Sequence, residues 1–247
     1  LSYLIQQLGE PLHPHVHALL ELYCWSTLGG SMQELSAAIG LTSYAWEFGD
    51  VLVAQAGNSS IAERYLQLFL KDLPLATHAR PSCVALDVKP KGDTVDVTYM
   101  DQHGVMRAIE ASAVVMACPK FVAKRLIDGL EQDRKEALEK LEYRSYVVAN
   151  ACLNRPTTRD IHDLYLLNEG EIPFGSTMRN QHNHGSTDAV YANYGQIRHD
   201  KTVLTIYHPL PFKGGRAELN LPNSHDRYTQ AIREELFTKI LPPLGYY

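Results

Sequence analysis

Residues 84–97 read VALDVKPKGDTVDV, two β-type segments joined by a turn centred on Gly92. Apolar and polar side chains alternate over residues 95–99, which is typical of a strand with one buried face. Residues 101–104 form a second turn, and residues 105–110 continue as a third strand. The sequence therefore predicts a three-stranded β-meander beginning at Val84.

An apolar segment follows the meander. Ala113–Ala117 has no polar residue, which is typical of a strand buried on both faces. Cys118 and Pro119 end this strand, and an amphipathic helical region continues to about residue 140. Upstream of the meander, Ser60 and Glu63 match the S-x-x-E capping box and predict the start of another helix.

The two flanks differ in their periodicity. Leucines recur at helical spacing over residues 1–50, whereas the chain is rich in strand patterns after residue 141. Tyr146–Leu153 and Thr202–Tyr207 are the clearest of these strands, Asn168–Gly185 reads as a surface loop, and a final helix begins at Ser224. We predict an α+β or α/β fold with a mixed β-sheet flanked by helices, divided into residues 1–50, 51–140 and 141–247.

Composition excludes several classes of protein. The 247 residues carry a net charge of −5 and 21% charged residues, without a segment dense in lysine and arginine, so nucleic acid is not the expected partner. No apolar run approaches the roughly 20 residues that a membrane-spanning helix needs. The four cysteines are isolated, which favours a reducing compartment and cytoplasmic localisation. Because the chain starts at Leu1 within a helical pattern, we expect it to be part of a longer protein.

Three stretches in a fixed order carry a family resemblance. They are AGNSSIAER (residues 56–64), VALDVKPKGDTVDV (residues 84–97) and ASAVVMACP (residues 111–119). Together they resemble the central part of the flavin-containing amine oxidase superfamily. The resemblance implies an FAD-dependent oxidoreductase that moves a hydride from a C–H bond of a small molecule, often next to nitrogen, onto flavin. It also implies that the mixed sheet and residues 1–50 belong to a substrate domain, and the meander and buried strand to an FAD-binding domain.

The resemblance also implies cofactor contacts. In this family the first strand of the meander passes the adenine end of FAD and offers backbone groups, which places Ala85 at the contact, with Val84 as the alternative one residue away. The end of the buried strand, Ala117-Cys118-Pro119, approaches the cofactor in the same way. The strand, G-x-G-x-x-G turn and helix that bind a pyrophosphate are missing from this sequence. We therefore expect the intact protein to supply that cradle outside this chain.

Candidate substrate residues lie after residue 141. Tyrosine and amide side chains on a substrate sheet can sandwich and orient a ligand, which makes Tyr146, Asn150, Tyr191 and Tyr194 candidates. Ser60 occupies the position at which monoamine oxidases place a substrate-facing glutamine. The resemblance places Ala149 where monoamine and polyamine oxidases carry a lysine that holds water at the flavin. A dehydrogenase or desaturase-like relative is therefore favoured over an oxidase, and no catalytic residue is assigned.

Two other kinds of protein remain open at this point. A binding or scaffolding module without flavin would share only the layout of sheets and helices. A metal protein would use His13, His15 and His17, whose imidazoles suit zinc, copper or nickel. Pro14 interrupts that cluster where a helix begins, so no metal is predicted. Asn150 also has a second interpretation, as a strand residue with its hydrogen bonds satisfied within the sheet.

Overall fold

The computed structural model describes residues 1–49, 52, 54, 57–167, 185–192, 200–211 and 214–246. The chain forms two compact units, one of residues 1–61 and 144–247 and the other of residues 62–143, and the division falls within helix α4 (Ser59–Phe69). Each unit contains one small antiparallel sheet. Tyr194 and residues 168–184 of the predicted surface loop lie outside the described residues. No described helix has the length and hydropathy needed to cross a membrane.

The smaller unit contains the predicted meander. Its strands are β1 (Val84–Lys91), β2 (Thr94–Met100) and β3 (Met106–Ala111), paired in the order β1-β2-β3. The second turn is fixed by Asp101, whose carboxylate accepts hydrogen bonds from the backbone N–H groups of His103 at 2.9 Å and Val105 at 3.0 Å. The meander is confirmed because its alternation and its turns are local properties of the chain.

The buried strand predicted at residues 113–117 is wrong for the described structure. These residues pair with no described strand, and 91% of the surface of Val115 is exposed. An apolar strand becomes buried only where other elements cover both of its faces, and no described element does so here. The helices that follow are present as α6 (Lys120–Leu126) and α7 (Gln132–Glu139), and α5 (Leu75–His78) precedes the meander.

Helices begin the larger unit, as predicted. They are α1 (Ser2–Leu8), α2 (Pro14–Tyr23) and α3 (Ala37–Trp46). Helix α2 continues directly into a π-helical turn, π1 (Cys24–Leu28), which ends at Gly29 in the left-handed conformation with φ 67°. Such turns are rare and often occur at functional sites.

The sheet of the larger unit is antiparallel throughout its described strands. These strands are β4 (Tyr146–Leu153), β5 (Asp163–Tyr165), β6 (Asp188–Tyr191) and β7 (Thr202–Pro209), in the order β4-β7-β6-β5. The predicted mixed sheet is therefore wrong. Parallel neighbours need a crossover connection, usually a helix, and none of the described residues between β4 and β7 is helical.

One face of this sheet forms the core. Helices α8 (Gly215–Leu219) and α9 (Ser224–Glu235) follow β7, and α9 runs into a second π-helical turn, π2 (Leu236–Ile240). The predicted inward residues of this region, Ile232 and Ile240, are buried against the sheet. Their partners on the strands are Ala189, Tyr191, Leu204 and Ile206. The opposite face of the sheet carries the polar side chains of these strands, including Asp188 and Asn150.

Candidate functional site

The candidate site is the face of the larger sheet that points away from the core. Successive side chains of a strand point to opposite faces, so the residues between the core positions share this second face. We call it the polar face, and it comprises Tyr146, Val148, Asn150, Asp163, Tyr165, Asp188, Thr205 and Tyr207. It brings carboxyl, amide, hydroxyl and aromatic groups together on four adjacent strands.

Two carboxyl groups lie at the β5–β6 end of the polar face. Asp188 is 3% exposed, and its Oδ1 accepts hydrogen bonds from the hydroxyls of Ser26 at 2.6 Å and Thr187 at 2.7 Å. Asp163 is its diagonal neighbour, because Asp163 pairs with Val190 while Tyr165 pairs with Asp188. Burial, followed by the charge of Asp188, raises the pKa of Asp163 to about 7. Burial also raises the pKa of Asp188.

Tyrosine rings flank these carboxyl groups. Burial and then Asp188 and Asp163 raise the pKa of Tyr207, and burial followed by Asp163 raises the pKa of Tyr165. Tyr23, on α2, donates a hydrogen bond to Glu47 Oε1 at 3.1 Å. With raised pKa values these phenols remain neutral hydrogen-bond donors near neutral pH, and their rings supply apolar surface.

The π1 turn joins the polar face to the helices through buried hydrogen bonds. Trp25 is 1% exposed and donates from its indole nitrogen to Glu21 Oε1 at 3.1 Å. The second oxygen of Glu21 accepts the backbone N–H of Met32 at 2.9 Å. Ser26, from the same turn, is the donor to Asp188. None of these residues was predicted from the sequence. For Asp188, the sequence signal was an aspartate directly before an apolar strand segment.

Tyr146 lies on the polar face, but its hydroxyl already has partners. The hydroxyl oxygen lies 2.6 Å from the carbonyl oxygen of Trp25 and 3.1 Å from that of Ser26, so its proton is donated to these carbonyl groups of π1. Burial and then Asp188 raise its pKa to about 12. Tyr146 therefore positions the π1 turn, and only its ring is available to a ligand.

We expect Tyr146→Phe to lower the free energy of unfolding by about 1–2 kcal/mol, because the Trp25 and Ser26 carbonyl groups within π1 lose the hydroxyl proton that they share. Chemical denaturation monitored by tryptophan fluorescence measures the change. Tyr3→Phe, at an exposed tyrosine of α1, is the matched control. Equal stabilities of the two variants would show that the Tyr146 hydroxyl does not hold π1.

The other predicted substrate residues do not all lie on the polar face. Asn150 is exposed on the polar face and accepts a hydrogen bond from the Thr205 hydroxyl at 2.8 Å, as its second interpretation proposed. Tyr191 is 2% exposed on the core face, so the structure does not bring it together with Tyr146 and Asn150. Ser60 is the second residue of α4 and its hydroxyl donates to the Gly57 carbonyl at 2.7 Å, so the helix begins two residues earlier than a capping box at Ser60 predicts, and that prediction is wrong.

The predicted cofactor contacts lie in the smaller unit. Val84 and Ala85 begin β1, an edge strand, and both are exposed, with a bulge between Ala85 and Asp87. Ala117, Cys118 and Pro119 are in the extended segment after the meander and share no ladder with β1 among the described residues. Val84, Ala85, Ala117 and Pro119 are exposed, and Cys118 is half-buried. The described residues contain no strand, glycine turn and helix arranged as a pyrophosphate cradle.

A cleft with a volume of about 800 Å³ lies between β4 and α9. It is lined along the whole of β4, which includes Tyr146 and Asn150, and its helical wall carries Tyr228, Arg233 and Phe237. Its lining is mainly apolar. The cleft is therefore a concave surface at the β4 edge of the sheet, distinct in chemistry from the polar face.

The histidine cluster does not assemble a metal centre in the described structure. His13 Nδ1 accepts the backbone N–H of His15 at 3.3 Å and caps α2, while His17 is buried. Within the described ranges, no group of three or more His, Cys, Asp or Glu side chains is placed to hold a metal ion. All four cysteines are described, and each is a free thiol.

Sequence comparison supplies the family. The profile of the flavin-containing amine oxidoreductase family matches residues 10–242, which include all of the smaller unit, most of the larger one and the seven described strands. A comparison with curated proteins returns no match. Since the matched region is nearly the whole chain, this protein belongs to the flavin-containing amine oxidoreductase family.

Proposed function

We propose that the intact protein is an FAD-dependent oxidoreductase that removes a hydride from a C–H bond of a small molecule, and that this chain supplies the substrate surface and part of the flavin-binding surface. Family membership supports the flavin chemistry. The observation that carries the assignment of the substrate surface is the polar face, on which Asp163 and Asp188 lie among tyrosine rings.

The polar face favours a substrate with a positively charged nitrogen next to the oxidised carbon. The carboxylate of Asp188 would attract an ammonium group, and the face of an aromatic ring attracts the same cation through its quadrupole. Tyr165 and Tyr207 lie beside the carboxyl groups on adjacent strands. Asn150 and the ring of Tyr146 lie farther along the same face and would contact the remainder of the substrate. These residues would bind and orient the substrate and exclude water from it.

The cofactor would contact the smaller unit through backbone groups. Val84 and Ala85 on β1, with Ala117, Cys118 and Pro119, would hold the adenine end. The exposure of Val84 and Ala85 on an edge strand, and of Ala117 and Pro119, supports this role. When bound, FAD supplies the hydride acceptor. The pyrophosphate would be held by residues of the intact protein other than those described.

The reaction with oxygen is proposed to be slow. Ala149, at the position where relatives carry a lysine, packs against the core, and its neighbours on the polar face are Val148 and Asn150. None of the described strand residues on the polar face is a lysine. Even if the match to the relatives' lysine is moved by one residue in either direction, that position carries no ammonium group. This absence supports a dehydrogenase or desaturase-like reaction.

The absorbance spectrum of the intact purified protein tests the proposal. We expect an oxidised-flavin spectrum that bleaches anaerobically when a suitable primary or secondary amine is added, and that recovers slowly when air is admitted. Protein refolded with excess FAD that still shows no flavin spectrum would overturn the proposal in favour of a binding module without flavin. Bleaching by neutral compounds alone would overturn the preference for a cationic substrate.

A further inference from the structure

Strand β5 is the weakest element of the larger sheet. It has three residues, Asp163–Tyr165, and pairs only with β6 among the described strands. Two backbone hydrogen bonds bracket it, from Leu166 N–H to the Thr187 carbonyl at 2.8 Å and from Tyr191 N–H to the His162 carbonyl at 2.9 Å. A short edge strand with few hydrogen bonds opens at low free-energy cost, so one charged group can decide whether it stays attached.

The two carboxyl groups beside β5 are not equivalent. Asp188 Oδ1 accepts two hydroxyl donors, which stabilise its charged form. Asp163 Oδ1 is enclosed and has no hydrogen-bond partner, which disfavours a charge on that side chain. Because two buried like charges on diagonal positions repel each other, the proton of the pair resides on Asp163.

The other groups around Asp163 do not offset its negative charge. Glu47, which follows α3, and Asp188 on β6 both disfavour ionisation, and the Leu164 N–H and Tyr165 hydroxyl only partly compensate. The remaining elements at this end of the face contribute neutral phenols: Tyr23 from α2, Tyr146 from β4 and Tyr207 from β7. Arg144 is a cation that acts on Tyr146, whose pKa it lowers.

We propose that the proton on Asp163 keeps β5 attached to β6, and that its loss as the pH rises to and through neutrality releases β5 from the edge of the sheet. Detachment lets the Asp163 carboxylate reach water, which removes both its desolvation and its repulsion by Asp188. The polar face then loses Asp163 and Tyr165 together. This switch needs no flavin, so its test is independent of the proposed function.

Amide hydrogen exchange tests the switch in the unliganded protein. After correction for the intrinsic exchange rate, we expect protection of the Leu166 and Tyr191 amides to fall about tenfold between about pH 6 and about pH 8.5, as protons leave a group that titrates near neutrality. The Leu210 amide, which donates to the Ser145 carbonyl at 2.9 Å at the other side of the sheet, should keep its protection. Unchanged protection of Leu166 and Tyr191 would overturn the proposal.

Two variants assign the effect to one carboxyl group. Asp163→Asn should remove the pH dependence of exchange at Leu166 and Tyr191, whereas Asp160→Asn, at an exposed aspartate before β5, should retain it. The same pH dependence in Asp163→Asn would overturn the proposal. Should Asp163→Asn fail to fold, a carbon-13 titration of the Asp163 carboxyl in the unaltered protein decides the question: a midpoint in the ordinary aspartate range overturns the proposal, and one near neutrality supports it.

Discussion

Glu235→Gln is expected to lower the free energy of unfolding by about 2 kcal/mol at neutral pH. This loss is smaller than the free energy equivalent to the whole pKa shift, because solvent screens part of the charge. Glu235 Oε2 accepts hydrogen bonds from the backbone N–H of Ser186 at 2.9 Å and from its hydroxyl at 2.6 Å, and lies 3.7 Å from His208 Nδ1. The amide of glutamine removes the charge that these groups stabilise.

The pH dependence of this effect has a definite sign. Burial alone would raise the pKa of Glu235, but His208 and Ser186 outweigh it and lower the pKa to about 2. A group with a lowered pKa stabilises the folded state above its unfolded pKa and loses that contribution as the pH falls toward the folded value. The difference between the parent protein and Glu235→Gln should therefore shrink as the pH falls below about 5 and vanish toward about pH 2.

Urea denaturation at a series of pH values measures this difference, with Glu234→Gln as the control. Glu234 is the exposed neighbour on the same helix, so its substitution changes the net charge equally without touching Ser186. If the two variants unfold at the same urea concentration at neutral pH, the Ser186–Glu235 contact does not stabilise the fold.

Gly29→Ala is expected to lower the free energy of unfolding of the larger unit by about 3 kcal/mol. The residue has φ 67°, and an added Cβ would lie 2.9 Å from the Tyr146 hydroxyl and 3.0 Å from Arg144 Cβ. The Arg144 Cβ is attached to the backbone and cannot turn away. The substitution therefore combines left-handed strain with displacement of the tyrosine that holds π1.

Gly9→Ala separates the two causes. Gly9 also ends a helix in the left-handed conformation, at φ 74°, but an added Cβ would meet no atom within 4 Å. Gly9→Ala should lower the free energy of unfolding by about 1 kcal/mol, because only the left-handed backbone strain is added. Thermal unfolding followed by circular dichroism compares the variants. Equal losses of stability in the two variants would mean that the close approach of Gly29 to Tyr146 and Arg144 does not contribute to the effect of Gly29→Ala.

Local patterns predicted the elements that depend on neighbouring residues in the chain. The meander follows from alternation and two turns, and β4 has the bounds that the sequence indicated because its apolar pattern ends at the start of a polar segment. The burial of Ile232 and Ile240 followed from helical spacing. In each case the information lies within about ten residues.

Non-local properties were not predicted. The exposure of Val115 depends on which elements cover residues 113–117, and an apolar run does not contain that information. The pairing of Asp163 with Asp188 depends on the register between β5 and β6, which lie 23 residues apart in the chain. Tyr191 was grouped with Tyr146 by residue type, whereas the sheet assigns the two tyrosines to opposite faces.

The position of β4 at the edge of its sheet has a practical consequence. Its eight residues, YVVANACL, include neither a charged side chain nor a proline, the usual devices by which edge strands avoid joining other molecules. Left uncovered, such an edge is a template for aggregation between copies of the chain. Protein concentration therefore has to be varied in every unfolding experiment on this chain, so that self-association is not mistaken for a change in stability.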